Sequence, residues 1–395
     1  MDSPRGRIYQ MAQVANGAPI SESYMEHIGL CLACRGCETA CPSGVKYGRL
    51  VEAARAQIEK HIQRPWHVRQ LRVLFFRKLL PSRLNLAIAG AMLYLYQVSG
   101  LKWLIGVLGF LPAKLRDVES LAPEIEAPFF FSYYGKTLAA EGEQRYRVAF
   151  LGGCMANICF ARLNEATVRV LRRNGCEVSI PEAQTCCGAL HVHSGLAEDA
   201  RVLARKNIDA IPAGDYDAII TNAAGCGSTL KEYGDLLEHD PAYAEKARAF
   251  AAKMKDVTEF LASIGLNDEL TAAGTSATYQ DSCHLAHGQK VRAAPRQLLG
   301  KVPGLEFREM QLPDICCGSA GIYNIIHTNM SLALLRKKMD AVNATGAQCI
   351  VTANPGCMLQ LEAGVRKFGR GQKVMHVVEV LDQAYRAKPS SKSGS

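Results

Sequence analysis

The sequence predicts an α/β protein whose carboxyl-terminal part is made of two repeated parallel-sheet halves, preceded by a smaller α-helical part. Three observations carry this. Cys154, Cys186, Cys187 and Cys226 recur as Cys283, Cys316, Cys317 and Cys357, at offsets of 129, 130, 130 and 131 residues. Each half alternates strand-like with helix-like sequence, the pattern of a parallel sheet covered by helices. Four further cysteines crowd into residues 31–41, ahead of the repeat, between segments that read as helical.

The first region, 1–60, is defined by Cys31-Leu-Ala-Cys34-Arg-Gly-Cys37-Glu-Thr-Ala-Cys41-Pro42. A C-x2-C-x2-C-x3-C-P run is the ligand pattern of a bacterial ferredoxin-type [4Fe–4S] cluster, since thiolates suit iron and the short spacing wraps one cube. The run predicts an α-helical ferredoxin-type iron–sulfur domain with Cys31, Cys34, Cys37 and Cys41 as ligands. Zinc is the rival, because C-x2-C pairs also hold it. In two-cluster ferredoxins the fourth cysteine ligates the other cluster, so Cys41 calls for a second motif, which this sequence lacks.

The second region, 61–145, is basic and apolar together. No acidic residue stands between Glu59 and Asp117, while Lys60, Arg64, Arg69, Arg72, Arg77, Lys78, Arg83, Lys102, Lys114 and Arg116 account for the net charge of +9. Leu84 to Leu101 is uncharged, a borderline length for a membrane span, but Asn85, Gln97, Ser99 and Gly100 interrupt it. The expectation is a linker of short amphipathic helices with basic flanks that contacts a membrane or a partner. Packing of the apolar faces inside the protein is the alternative. Basic residues interleaved with aliphatic runs argue against nucleic acid.

The third region divides into repeats at 146–268 and 269–387, with a disordered tail expected over 388–395. "YRVAFLGGC", "CEVSIPEAQTCCG" and "YDAIITNAAGC" read as strands leading to cysteines, and "ATYQDSC", "LEFREMQLPDICCG" and "AQCIVTANPGC" repeat them. "DVTEFLASI" is likewise echoed by "HVVEVLDQA". The carboxyl ends of parallel strands share one edge, where ligands bind. Cys154, Cys186, Cys187 and Cys226 should therefore converge, and so should Cys283, Cys316, Cys317 and Cys357. Four thiolates hold either an iron–sulfur cluster or zinc. His191, His193, His284 and His287 lie near the cysteine loops and could donate to a centre there, but a lone histidine beside such a loop is more often structural, and that is the expectation. Cys159, Cys176 and Cys349 fall outside the repeated set and read as small buried apolar residues. Met1 is followed by Asp-Ser-Pro-Arg-Gly-Arg and no apolar signal segment, so the fifteen cysteines suit metal or redox chemistry in a reduced compartment rather than disulfides.

"DSPRGRIYQM", "CLACRGCETACPSGVKYGRLVEAAR" and the two Cys-Cys-Gly halves together resemble the iron–sulfur subunits of glycolate oxidase. These belong to the wider group of cysteine-rich (CCG) domain proteins, with heterodisulfide reductase, anaerobic glycerol-3-phosphate dehydrogenase and lactate-utilisation subunits. The resemblance covers nearly the whole chain. It implies a subunit of an oxidoreductase complex that carries electrons and holds no catalytic residue of its own. Flavin-containing partner subunits oxidise glycolate to glyoxylate, and the electrons pass on to a membrane quinone. It further implies a cytoplasmic protein, peripheral on the inner face of the cell membrane. D-lactate or another 2-hydroxy acid is the alternative substrate, and a heterodisulfide-reductase-like catalytic subunit the alternative class. In the family a first ferredoxin motif precedes the Asp-Ser-Pro-Arg-Gly-Arg segment, so two [4Fe–4S] clusters are expected there and one motif is present here. The expectation is that the first few dozen residues are missing here, through a late-assigned start or a real loss. The reductase relatives use five cysteines per CCG domain; each half here offers four, because Thr229 and Gln360 stand where a further cysteine would close the pattern.

Overall fold

The computed structural model describes residues 1–109, 119 and 124–386. The repeat predicted from cysteine spacing is visible as two sheets. The first runs in the order β1-β3-β2-β4-β5, from β1 (Thr137–Leu138), β2 (Tyr146–Phe150), β3 (Cys176–Ser179), β4 (Ala218–Thr221) and β5 (Met254–Asp256). The second runs β7-β6-β8-β9, from β6 (Thr275–Tyr279), β7 (Leu305–Phe307), β8 (Cys349–Thr352) and β9 (Lys373–His376). All pairings are parallel except β1 with β3. The central strands "AIIT" and "CIVT" are buried at every position, as parallel strands covered on both faces must be.

The short strands β5 and β9 are not legible in the sequence, although "DVTEFLASI" and "HVVEVLDQA", which begin at their last residues, echo each other. Each strand ends at the cap of a helix. Asp256 caps Val257–Ile264 in a capping box with Glu259, and Glu379 accepts from the His376 backbone N–H at the start of Val377–Arg386. Caps of this kind satisfy backbone donors that the helix cannot.

The halves are joined by one apolar core that includes Phe150, Val170 and Leu171 of the first and Tyr279, Val351 and Leu381 of the second. Arg169 clamps Asp382 with two bonds of 2.9 and 2.8 Å, and His376 Nε2 lies 3.0 Å from the Asn222 carbonyl oxygen.

At the amino terminus, helices Pro4–Ala15, Glu22–Gly29 and Tyr47–His61 enclose Val14, Tyr24, Ile28, Tyr47, Val51 and Cys31. The cysteine loop lies between the second and third of these. In the linker, helices Trp66–Val73, Arg83–Val98 and Leu101–Leu108 form, with a π-helical turn over Leu74–Leu79. The choice between inward packing and an outward apolar face resolves as both. Leu86 and Gly90 are buried, and a Cβ on Gly90 would stand 2.9 Å from Phe129 and 3.2 Å from Ile158. Leu84, Ile88, Met92, Leu95, Trp103 and Val107 are exposed. No single helix among the described residues is long and apolar enough to cross a membrane, and the pair Arg83–Val98 and Leu101–Leu108 is bent by 62°. Part of the basic excess is neutralised on the protein: Arg64 and Arg72 pair with Glu59, and Arg77 with Asp199. Lys114, Arg116 and the tail expected over 388–395 lie outside the described residues.

Candidate metal centres

The sequence-predicted cysteines gather in three places. In the first repeat, Cys154 touches Cys186, Cys186 touches Cys187, and Cys187 touches Cys226. The second repeat copies this row as Cys283, Cys316, Cys317 and Cys357. Residues over seventy positions apart meet because β2, β3 and β4 deliver their following loops to one sheet edge, and β6, β7 and β8 do the same. Gly153, Gly188 and Gly318 turn these loops at φ of 77°, 85° and 91°, where a side chain would be strained.

The thiols of each row pack on one another, and among the described residues no three His, Cys, Asp or Glu side chains stand arranged around a single metal ion. The donor chemistry nevertheless fits an iron–sulfur centre. Cys186, Cys187, Cys316, Cys317 and Cys357 are buried, with Cys154, Cys226 and Cys283 half-buried beside them, and N–H groups aim at the sulfurs: Ala189 at Cys187 (3.5 Å), Gly318 at Cys316 (3.4 Å) and the Asn354 amide at Cys357 (3.3 Å). Hydrogen bonds to sulfur of this kind stabilise and tune such clusters. In the first row, donation to Cys186 and then burial push the Cys154 thiol far up. In the second, bonds from Cys283 and Cys317 hold Cys316 well below the ordinary thiol range, and Cys317 and Asn354 lower Cys357.

The third group is the amino-terminal loop. Cys31 accepts from the Ala33 N–H at 3.4 Å and from the Tyr47 hydroxyl at 3.5 Å. Burial pushes Cys34 up to about 11, and burial also raises Cys37. Cys41 differs: backbone N–H groups, that of Val45 first, hold it below the ordinary range, and it is partly exposed. Cys31, Cys34 and Cys37 act on one another electrostatically, and Cys41 is not among the charges they feel most.

The loop is seated on the sheet edge of the second repeat. Cys34 is close enough to Cys316 and Cys283 for their charges to interact. Tyr323 donates to the Leu30 carbonyl at 3.2 Å, and Thr39 lies 2.9 Å from His287 Nδ1. Arg35 ties the loop to the first repeat through Ser228 at 3.1 Å and Glu232 at 2.5 Å. The first row is covered differently. Phe76 and Leu80, from the turn that leads into the linker helices, pack with Cys186, and Cys154 lies against them.

Each of the four histidines makes a contact that holds the loops, yet Nδ1 of His191 and His284 and both ring nitrogens of His193 are buried without a hydrogen-bond partner. His191 Nε2 is 2.8 Å from the Phe76 carbonyl oxygen, His193 lies 3.3 Å from Glu52, and His287 meets Thr39 and Arg292. His284 contacts the Ala33 carbonyl. Cys159, Cys176 and Cys349 are buried, and Cys159 lies within reach of the charge of Cys154. What the sequence reading missed is Lys338, an almost fully buried cation behind the second row. Its position in a helix of alternating charge gave no signal, because "LLRKKMD" reads as a solvated face.

Models of two families match the chain: the cysteine-rich domain over residues 148–231 and 277–362, and the linker region of the glycolate oxidase iron–sulfur subunit over 67–122. A probable glycolate oxidase iron–sulfur subunit of Bacillus subtilis is 43% identical over 98% of this chain and 89% of its own length. The glycolate oxidase iron–sulfur subunit of Escherichia coli is 34% identical over 97% of this chain and 88% of its own. Lactate utilization protein A of Bacillus subtilis is 31% identical over 60% of this chain and 99% of its own.

Proposed function

The chain belongs to the family of glycolate oxidase iron–sulfur subunits, and from that premise we propose that it collects electrons from flavin-containing partner subunits and passes them toward a membrane quinone. It is the iron–sulfur subunit of a hydroxy-acid-oxidising complex, and so part of an oxidoreductase. The observation that carries electron transfer is the seating of the amino-terminal loop on the second repeat, where His284 Nε2 lies 3.0 Å from the Ala33 carbonyl oxygen and Tyr323 donates to the Leu30 carbonyl at 3.2 Å, with Cys34 within reach of the charges of Cys316 and Cys283. A centre on the amino-terminal loop and one on the second row are neighbours within one protein interior. An iron–sulfur cluster bound there supplies one-electron redox chemistry. The protein's own part is to hold it by thiolates, wrap it in apolar side chains and aim N–H groups at its sulfurs.

In this reading residues 1–60 are a ferredoxin-type domain in which Cys31, Cys34, Cys37 and Cys41 hold a [4Fe–4S] cluster. Residues 146–268 and 269–387 each hold a centre on their four cysteines. The hydroxy acid meets the flavin on another chain. The exposed apolar side of Arg83–Val98 and Leu101–Leu108, flanked by Lys78, Arg83 and Lys102, lies in the interface of an anionic membrane on the cytoplasmic side, as a helix with one apolar face and a basic rim does.

Glycolate is the substrate that the relatives covering the chain's full length favour; the lactate-utilisation relative keeps D-lactate as the second reading. The test is iron and zinc analysis with electron paramagnetic resonance on anaerobically purified complex, reduced by glycolate or by D-lactate. Reducible iron in the rows and reduction by glycolate are expected. Zinc in both rows, with no signal beyond the amino-terminal centre, would overturn the assignment of electron transfer to the repeats.

A further inference from the structure

The two cysteine rows look alike in the sequence, but the residue behind each is different in charge. Helix Ala197–Ala210 of the first repeat and helix Thr328–Thr345 of the second occupy equivalent places. Counting from their first residues puts Asn207 and Lys338 at the same position, and both are buried, Lys338 to 1% exposure. Asn207 serves the loop at the cysteine pair: it accepts from the Thr185 N–H at 2.9 Å and donates to the Cys186 carbonyl at 3.1 Å. Lys338 serves the equivalent loop with two bonds of 3.0 Å to the Leu312 and Pro313 carbonyls.

The position does not of itself require a charge, since in the first repeat a neutral amide there donates to the carbonyl of Cys186 in the same loop. A buried ammonium without a counter-charge costs several kcal/mol. Among the described residues no carboxylate pairs with Lys338. Asp281, the nearest acid it feels, is already clamped by Arg296 through two bonds of 2.9 Å. Burial lowers the ammonium's pKa, and Cys317, Cys316 and Cys357 oppose that most strongly; as ligands of a cluster these three are thiolates.

We propose that Lys338 sets the two rows apart electrically: a centre held by Cys283, Cys316, Cys317 and Cys357 is reduced more easily than one held by Cys154, Cys186, Cys187 and Cys226. A fixed positive charge favours whichever state of a nearby centre is the more negative, and one-electron reduction adds one negative charge. The donor of that electron is the iron–sulfur centre on the amino-terminal loop, oxidised by one electron as the second row is reduced. The row beside Cys34 is thereby the sink to which electrons entering from the loop fall first. Lys338 acts as a positioning charge and touches no reacting atom.

The inference rests on the reading that the rows hold iron–sulfur centres, and the experiment separates the two. Wild-type, Lys338→Gln, Lys338→Arg and Asn207→Lys proteins are purified anaerobically in the full complex. Their midpoints are read by redox titration followed by paramagnetic resonance, with iron and zinc counted per chain. The second-row signal is the one that Cys316→Ser abolishes. Glutamine keeps a donor for the carbonyls and removes the charge. The second-row midpoint falls in Lys338→Gln by at least a tenfold change in the reduction equilibrium, 59 mV for a one-electron couple. Arginine restores it, and Asn207→Lys raises the first-row midpoint. Unchanged iron with an unmoved second-row midpoint in Lys338→Gln overturns the proposal alone. Should that variant lose its iron, an Asn207→Lys protein that keeps iron and shows no rise overturns it instead. Zinc in the second row of the wild type overturns the proposal together with the reading beneath it.

Discussion

His284, the residue after the first cysteine of the second row, holds the peptide oxygen of Ala33 with Nε2 at 3.0 Å, between the first two cysteines of the amino-terminal loop. Burial pushes its imidazole down to about 4, so at neutral pH the ring is uncharged and donates through Nε2–H. The bond pins one candidate centre to the other. His284→Ala leaves the Ala33 carbonyl buried and unpaired, at a cost of about 1–3 kcal/mol. The expected result is faster amide hydrogen exchange over residues 30–41 with unchanged exchange in β6 and β8. Equal acceleration in the strands would show that the residue supports the sheet rather than the seat.

The apolar outer face of the linker predicts binding to lipid. Leu95→Glu and Trp103→Glu should each remove the roughly 1.5–3 kcal/mol that burying such a side chain contributes, and should reduce co-flotation with vesicles containing anionic lipid. Raising the salt concentration should weaken binding of the wild type, because exposed charges separated by more than a screening length cease to attract. Flotation that is indifferent to both changes would mean that this face meets a protein partner.

His376 predicts a loss of stability in acid. It is fully buried, and desolvation holds it down at about 4, whereas an unfolded histidine titrates near 6.5. Between those values the unfolded chain binds the extra proton, so unfolding becomes easier as pH falls from about 6.5 toward 4, by on the order of 3 kcal/mol. Asp256, raised by burial to about 6, works in the opposite sense over the same window, since there the folded state binds more protons. The His376 contribution is therefore read as a difference: His376→Gln should show a flatter or reversed dependence in denaturant melts at pH 4.5 and 7 (about two points spanning the window). An identical slope in wild type and variant would rule the histidine out.

Stripping metal should expose the cysteines in a set order. Cys41 is partly exposed with its thiol held low by the Val45, Ser43 and Gly44 backbone, and a thiolate is the reactive form. In chelator-treated protein, Cys41 should be alkylated first and the buried Cys186 and Cys187 last. Peptide mass spectrometry after brief iodoacetamide treatment reads this directly. Early labelling of Cys186 would mean that the Phe76 and Leu80 cover opens without metal.

Much of the architecture was legible because the repeat is written in residues that must converge. Eight cysteines at nearly constant offsets, each after a strand-like run, fix both the parallel sheets and their shared edges. β5 and β9 escaped because three or four residues ending in a capping acid or histidine carry too little periodicity. The seating of the amino-terminal loop escaped for a different reason. Its contacts run through Tyr323, His284, Arg35 and Thr39, which are scattered along the chain and share no spacing. Lys338 was hidden by its neighbours, because Arg336 and Lys337 make its segment look wet while the helix turns Lys338 alone of the three inward.

The turn over Leu74–Leu79 gives the first row a shelter with its own logic. Phe76 and Leu80 seal Cys186 with side chains from the same segment that leads into the exposed apolar helices. Dioxygen entering from water therefore meets half-buried Cys41 before it meets sealed Cys186. Air should erase the amino-terminal centre of a carelessly handled sample ahead of the first row's.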